Sequence, residues 1–244
     1  MAPGTFLTLG GGGFSMIADG EDLAASPLDA FLLSLTGKDR PRVCFVPTAS
    51  GDSPTYIDRF LRAFRDRAEA TVLPLFNNER DAEWAIPVEE VERVLDQDVV
   101  YVGGGSTANL LAVWRLHGLD ELLARAAAGG TVMAGISAGM NCWYEASSTD
   151  SFGPLAPLTD GLGLLPGSCC PHYFGEPGRQ AAYTSWVAGG GLPEGVAADD
   201  HAALLWRDGE LVEAVTERAG GRAFRVTRVG GRAVETPLEV RELG

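Results

Sequence analysis

The feature that most constrains this chain is an alternation of strand-like and helix-like segments from the N-terminus to about residue 137. Residues 6–9, 42–46, 71–75 and 98–102 are short apolar runs of strand length, and Thr131-Val132-Met133-Ala134 is a fifth. A short helix at 27–35 separates the first two. Ile57, Phe60, Leu61 and Phe64 recur at helical spacing, with arginines on the other face. Val91, Val94 and Leu95 mark another helix, and 108–116 and 119–128 two more. Repeated strand–helix units of this kind imply a mostly parallel sheet, since parallel neighbours need a crossover connection, usually a helix. The expected class is therefore α/β, a mostly parallel sheet flanked by helices on both faces.

Beyond residue 137 the texture changes. Residues 150–167 are rich in Gly, Pro and Leu and read as one long loop. From Val196 onward, short runs are separated by Asp208-Gly209, Gly220-Gly221 and Gly230-Gly231. These turn pairs predict antiparallel hairpins, concentrated at about 207–244. With no linker or internal repeat, the expectation is one domain over residues 1–244, long enough to bury a full core.

Composition narrows the function. A formal charge of −14 leaves no basic stripe for nucleic acid. No apolar run is long enough to span a bilayer. Met1-Ala2-Pro3-Gly4 lacks the basic and apolar regions of a signal peptide. Cys44, Cys142, Cys169 and Cys170 do not have the spacing of a disulfide framework. Cys169, Cys170 and His172 lack a partner to complete a tetrahedral set, so no metal is expected at these residues. Buried free thiols in a reducing cytoplasm are the expectation.

The strand at 131–134 runs into Gly135-Ile136-Ser137-Ala138-Gly139, which matches G-x-S-x-G. A serine at a sharp strand-to-helix turn is strained and tolerates only small neighbours. Gly135, Ala138 and Gly139 supply them, leaving the Ser137 hydroxyl exposed as a nucleophile. The Ala138 N–H, at the start of the next helix, points toward an oxyanion formed there. An ordinary serine in a glycine turn is the competing account. Gly103-Gly104-Gly105-Ser106-Thr107 follows a strand and precedes a helix, but without G-K-[ST] it is no Walker loop. It reads as the second half of an oxyanion hole. Gly10-Gly11-Gly12-Gly13 fails as a dinucleotide fingerprint for want of a suitably spaced acid.

Three histidines compete for the role of base. His117 ends a surface helix, where a charge beside the helix terminus is the simpler account. His201 follows two aspartates and precedes a strand. His172 stands in Cys169-Cys170-Pro171-His172-Tyr173-Phe174, at a strand end where Pro171 fixes the backbone, and is the preferred base.

Taken in order, the G-G-G loop, G-I-S-A-G, Thr149-Asp150 and Pro171-His172 resemble peptidase E, the α-aspartyl dipeptidase family that includes cyanophycinase. The resemblance covers roughly residues 5–206. It implies a class I glutamine amidotransferase-like fold, with Ser137 as nucleophile, His172 as base, and Gly105 and Ala138 as oxyanion donors. Ser106 stands where the family usually has asparagine beside the substrate. For the acid, Glu194 and Asp200 compete. Asp200 is favoured because it precedes Ala202-Ala203-Leu204-Leu205, the strand that follows the acid in the family. Asp150 is expected to serve the site, in a catalytic tetrad or at the substrate amine, with a loop cap as the alternative. Arg179 either holds the side chain of an aspartyl substrate, as an arginine of this region does in the family, or pairs with Glu176. The segment before it is shorter than in the aspartyl dipeptidases, which separates general peptide hydrolysis from strict Asp-X specificity. The expected partner is a small peptide; a homodimer is compatible with the sequence and not specified by it. The rival readings are an α/β-hydrolase esterase and a non-catalytic metabolite-binding protein. The esterase needs a late histidine, and here hairpin signals follow the last one.

Overall fold

A computed structural model describes residues 4–76 and 86–244; residues 1–3, part of the stretch read for a leader, lie outside it. In chain order its first half contains β1 (Thr5–Leu9), α1 (Pro27–Ser34), β2 (Arg42–Val46), α2 (Pro54–Phe64) and β3 (Glu69–Val72). Then come α3 (Val88–Glu92), β4 (Val99–Val102), α4 (Thr107–His117), α5 (Leu119–Ala128) and β5 (Val132–Ile136). The order β1-β5-β4-β2-β3 is parallel throughout.

The second half supplies α6 (Ala138–Asn141), β6 (Tyr144–Thr149), β7 (Ala156–Leu158), β8 (Leu165–Cys170) and α7 (Arg179–Gly189). It ends with β9 (Gly195–Ala198), β10 (Ala202–Arg207), β11 (Glu210–Thr216), β12 (Ala223–Val229), β13 (Arg232–Pro237) and β14 (Val240–Glu242). Antiparallel β10 and β11 extend the main sheet beyond β1 to eight strands, with β14 at its edge. A second, six-stranded sheet runs β13-β12-β9-β8-β6-β7.

Alternation along β4 shows how the layers form. Val99 and Tyr101 face Leu28 and Leu32 of α1 and Phe60 and Phe64 of α2. Val100 and Val102 face Leu110 and Trp114 of α4, and Tyr144, Leu165 and Val196 of the second sheet join the same core. A strand's period of two sends neighbouring residues to opposite faces, and with both faces covered all four must be apolar. The Phe14 ring lies edge-on to Phe45, Phe60, Phe64 and Tyr101 and knits the helix face together. A third core joins the far face of the second sheet to α7 through Cys170, Tyr183, Val187 and Val226.

Three expectations need correction. The third strand lies earlier, at Glu69–Val72, although the Leu73 amide still bonds to the Phe45 carbonyl at 2.9 Å. The stretch 150–167 is not one loop, because β7 and the start of β8 lie within it; its prolines and glycines hid strands of low β-propensity. Gly220-Gly221 closes no hairpin, since β11 and β12 belong to different sheets and the chain crosses between them there. The turns at Asp208-Gly209 and Gly230-Gly231 do join paired antiparallel strands.

Candidate active site

Ser137 sits between β5 and α6 at φ 56°, ψ −111°, a region that costs a non-glycine residue about 1–3 kcal/mol. Between residues 131 and 144 it alone is not fully buried. The turn is tight enough to explain its glycines. A methyl group at Gly135 would lie 2.1 Å from the Gly139 carbonyl oxygen, and one at Gly139 would lie 2.3 Å from that of Val102.

The 103–105 loop abuts this serine. A methyl at Gly104 would stand 3.4 Å from Cβ of Ser137. The Gly104 N–H donates to Oη of Tyr56 at 3.3 Å. Gly105, at φ 137°, has its α-carbon so close to the Ala49 carbonyl that a methyl would lie 2.1 Å from the oxygen. Oγ of Ser106 accepts from the Asn109 amide at 3.3 Å, so this hydroxyl caps α4.

Ser137 and His172 hang from consecutive carbonyls at the end of β1. The Ser137 amide bonds to the Leu9 carbonyl and the His172 amide to that of Gly10, each at 3.1 Å. Nδ1 of His172 lies 2.6 Å from Oδ1 of Asp200. The hydrogen bond from His172 is the chief reason the Asp200 carboxyl is held below the usual carboxylate range. Charges on His172, His201 and Arg179 act the same way, against partial burial. An ionised carboxylate at Nδ1 favours the tautomer with its proton there and leaves Nε2 as the basic nitrogen. Chain segments close around this acid: a methyl at Gly175 would meet its Oδ2 at 2.0 Å, and one at Gly11 its Oδ1 at 2.2 Å. Glu194, the competing acid, instead accepts from the Arg228 amide on β12 at 2.8 Å.

The structure also gathers Asp150, Glu176 and Arg179. Asp150 follows β6, and the adjacent Ser151 hydroxyl takes the Ala108 amide at 3.2 Å, tethering this segment to the start of α4. Arg179 donates through Nε to Glu176 and through Nη2 to Asp150, the latter at 3.4 Å. His201 stands apart. Its Nδ1 pairs with Oε1 of Glu217 at 2.8 Å, and Glu217 also accepts from Ser26 at 2.7 Å and from the Gly13 amide at 3.1 Å. His117 belongs to the last turn of α4.

Several residues that shape this region carried no site role in the sequence. The Gly10–Gly13 run, dismissed as a cofactor loop, is the strip on which the site is hung. A methyl at Gly10 would lie 2.3 Å from the Ala198 carbonyl oxygen. Asp199 receives the amides of Phe174 and Gly175 at 3.0 and 2.9 Å and an Arg222 guanidinium at 2.6 Å, which fixes the turn after His172. Four glycines directly after the first strand, and two adjacent aspartates, were the available signals. Tyr56 and Glu217 gave none. Among the described residues, no three His, Cys, Asp or Glu side chains gather as a metal site. All four cysteines are buried and unpaired. Burial pushes the Cys44 thiol up to about 11 and that of Cys170 to about 12.

Comparison with known proteins identifies the family. Residues 6–214 match the model of peptidase family S51. The chain is 44% identical over 239 residues to "uncharacterized peptidase YgaJ" of Bacillus subtilis, covering 98% of both chains. It is 30% identical to peptidase E of Streptomyces coelicolor over 194 residues, 78% of this chain and 75% of that one. A crystal structure of a peptidase from an acI-B1 actinobacterium superposes with a TM-score of 0.67 at 19% identity, covering 98% of this chain and 95% of that one, a likeness of fold. The chain therefore belongs to peptidase family S51, and it is a serine peptidase of the peptidase E type.

Proposed function

We propose that Ser137, His172 and Asp200 form the catalytic triad and that the substrate is a small peptide. The observation that carries this reading is the His172–Asp200 pair, at 2.6 Å, on the same β1 terminus that holds the strained Ser137. In this reading Nε2 of His172 takes the Ser137 proton as Oγ attacks the scissile carbonyl. The ionised Asp200 holds the imidazole in the required tautomer and offsets the charge it acquires. The tetrahedral oxyanion is met by the N–H groups of Gly105 and Ala138. His172 then returns its proton to the leaving amine, and water releases the acyl group by the same route.

No metal or organic cofactor has a part in this sequence. Among the described residues, no helix is long and apolar enough to cross a membrane. Four buried thiols suit a reducing cytoplasm, which we take as the compartment. The test is labelling with a serine-directed fluorophosphonate, alongside a dipeptide screen of wild type and Ser137→Ala. Labelling and turnover should vanish together in the variant. Near-wild-type turnover by Ser137→Ala would overturn the assignment.

A further inference from the structure

Arg179 is the cation nearest in sequence to His172 and the natural candidate to hold an acidic substrate side chain. Its surroundings argue otherwise. The side chain is 4% exposed, whereas its two carboxylate partners, Asp150 and Glu176, are 55% and 45% exposed. Nε is engaged by Glu176 and Nη2 by Asp150 at 3.4 Å. One guanidinium facing two carboxylates leaves a local charge of −1, and the Asp200 carboxylate adds to it. The charged head lies inside, and the negative groups form the outer face.

The partners come from three different elements. Asp150 follows β6 and belongs to the segment tethered to α4 through Ser151 and Ala108. Glu176 sits on the turn that begins at His172, whose carbonyl accepts the Glu176 amide at 3.1 Å. Arg179 opens α7 behind them. The guanidinium thus clamps the 149–151 segment to the His172 turn, and its charge reaches Asp200 and helps hold that acid ionised. For a substrate carboxylate to reach Arg179, it would have to displace a protein carboxylate and shed its own water in a region of net negative charge. Those two costs act in the same direction.

We infer that Arg179 is a positioning residue, an internal counter-ion of the active-site loops, and that the residue on the acyl side of the scissile bond is neutral or basic rather than acidic. The inference rests on the triad proposed above and sharpens its substrate class.

The experiment compares kcat and KM for Asp-X, Ala-X and Arg-X dipeptides sharing the same X, in wild type, Arg179→Met, Arg179→Lys and Glu176→Gln. Wild type should cleave Ala-X at least as well as Asp-X. Arg179→Met should lower kcat for every substrate by a common factor, about tenfold or more, with KM little changed, and Arg179→Lys should restore part of it. Glu176→Gln frees one edge of the guanidinium and should raise the Asp-X to Ala-X ratio severalfold. A hundredfold preference of wild type for Asp-X would overturn the inference, as would an Arg179→Met variant whose KM rises for Asp-X alone. The wild-type ratio decides even if Arg179→Met does not fold. Fluorophosphonate labelling separates the two levels. Asp-X preference with Ser137 labelled overturns only the inference, whereas absent labelling removes the triad and the inference with it.

Discussion

Ser137 shows what a single residue contributes at the cost of stability. Its φ of 56° is one that glycine adopts freely and an L-residue with a side chain does not. Ser137→Ala should leave the melting temperature near that of wild type, because the strained backbone and its Cβ remain. Ser137→Gly should raise stability by about 1 kcal/mol, since the strain is relieved; both should be inactive. Thermal unfolding of the two variants checks this, and a Ser137→Gly protein less stable than Ser137→Ala would show that the turn is not strained. The acid is tested at the same scale. Asp200→Asn keeps the shape but favours the wrong imidazole tautomer, and should lower kcat by about four orders of magnitude, the scale seen for that exchange in serine protease triads. Glu194→Gln, in the bend just before β9, should change kcat less than about twofold. A large loss at Glu194 with little at Asp200 would reverse the assignment.

At the level of elements, the decisive piece is the end of β1 and the glycines after it. The carbonyls of Leu9, Gly10 and Gly11 receive the amides of Ser137, His172 and His201, so one strand terminus spaces three segments far apart in sequence. Gly10→Ala places a methyl 2.3 and 2.5 Å from two carbonyl oxygens, and rigid backbone cannot yield as a side-chain tip can. The expected loss is roughly 2–3 kcal/mol of stability, with kcat falling in parallel because the Ser137–His172 spacing moves. Chemical denaturation and kinetics on the same preparation would test both. An unchanged kcat would mean that the strip does not set the site's geometry. The neighbouring His201–Glu217 pair ties the start of β10 to α1 through Ser26. His201→Ala should cost roughly 1–3 kcal/mol of stability by removing the imidazole partner of the partly buried Glu217, which keeps only the Ser26 hydroxyl and the Gly13 amide, while kcat falls less than about tenfold, far less than in His172→Ala.

Over the whole molecule, buried and paired carboxylates set the response to pH. Hydrogen bonds and ion pairs hold Asp98, Asp200 and Glu217 below their ordinary values despite partial burial. Each contributes stability that is present above its unfolded pKa and lost as pH falls through the lower folded value. Asp29 behaves oppositely. Complete burial beneath the glycine strip raises it to about 7, against one amide bond from Phe14. For a raised acid the unfolded state releases its proton first, so stability declines as pH climbs from about 4 to about 7. Self-repulsion in a chain of formal charge −14 pulls the same way. The melting temperature should therefore peak between roughly pH 5 and 6 and fall toward pH 8. Asp29→Asn keeps an acceptor for the Phe14 amide and removes the ionisation. It should gain roughly 2 kcal/mol or more over wild type at pH 8 and much less at pH 5. Equal effects at the two pH values would show that Asp29 does not titrate in this range.

The sequence by itself determined the parallel half of the fold and the position of the elbow serine proposed as nucleophile, because both are written locally. Strand-length and helix-period segments follow one another up to residue 137, and the small residues of the elbow sit next to the serine they accommodate. The resemblance picked out His172 and Asp200, but which acid meets the imidazole is a matter of distance between residues separated by 28 positions. Only the packing of β1 between β5 and β10 brings them together. The second sheet was illegible because Gly, Pro, Ser and Cys in β7 and β8 form strands only when neighbours supply the hydrogen bonds and the burial. Arg179 was ambiguous for the same reason. A cation's role depends on which carboxylates the fold puts beside it, and two of them, from different elements, are there already.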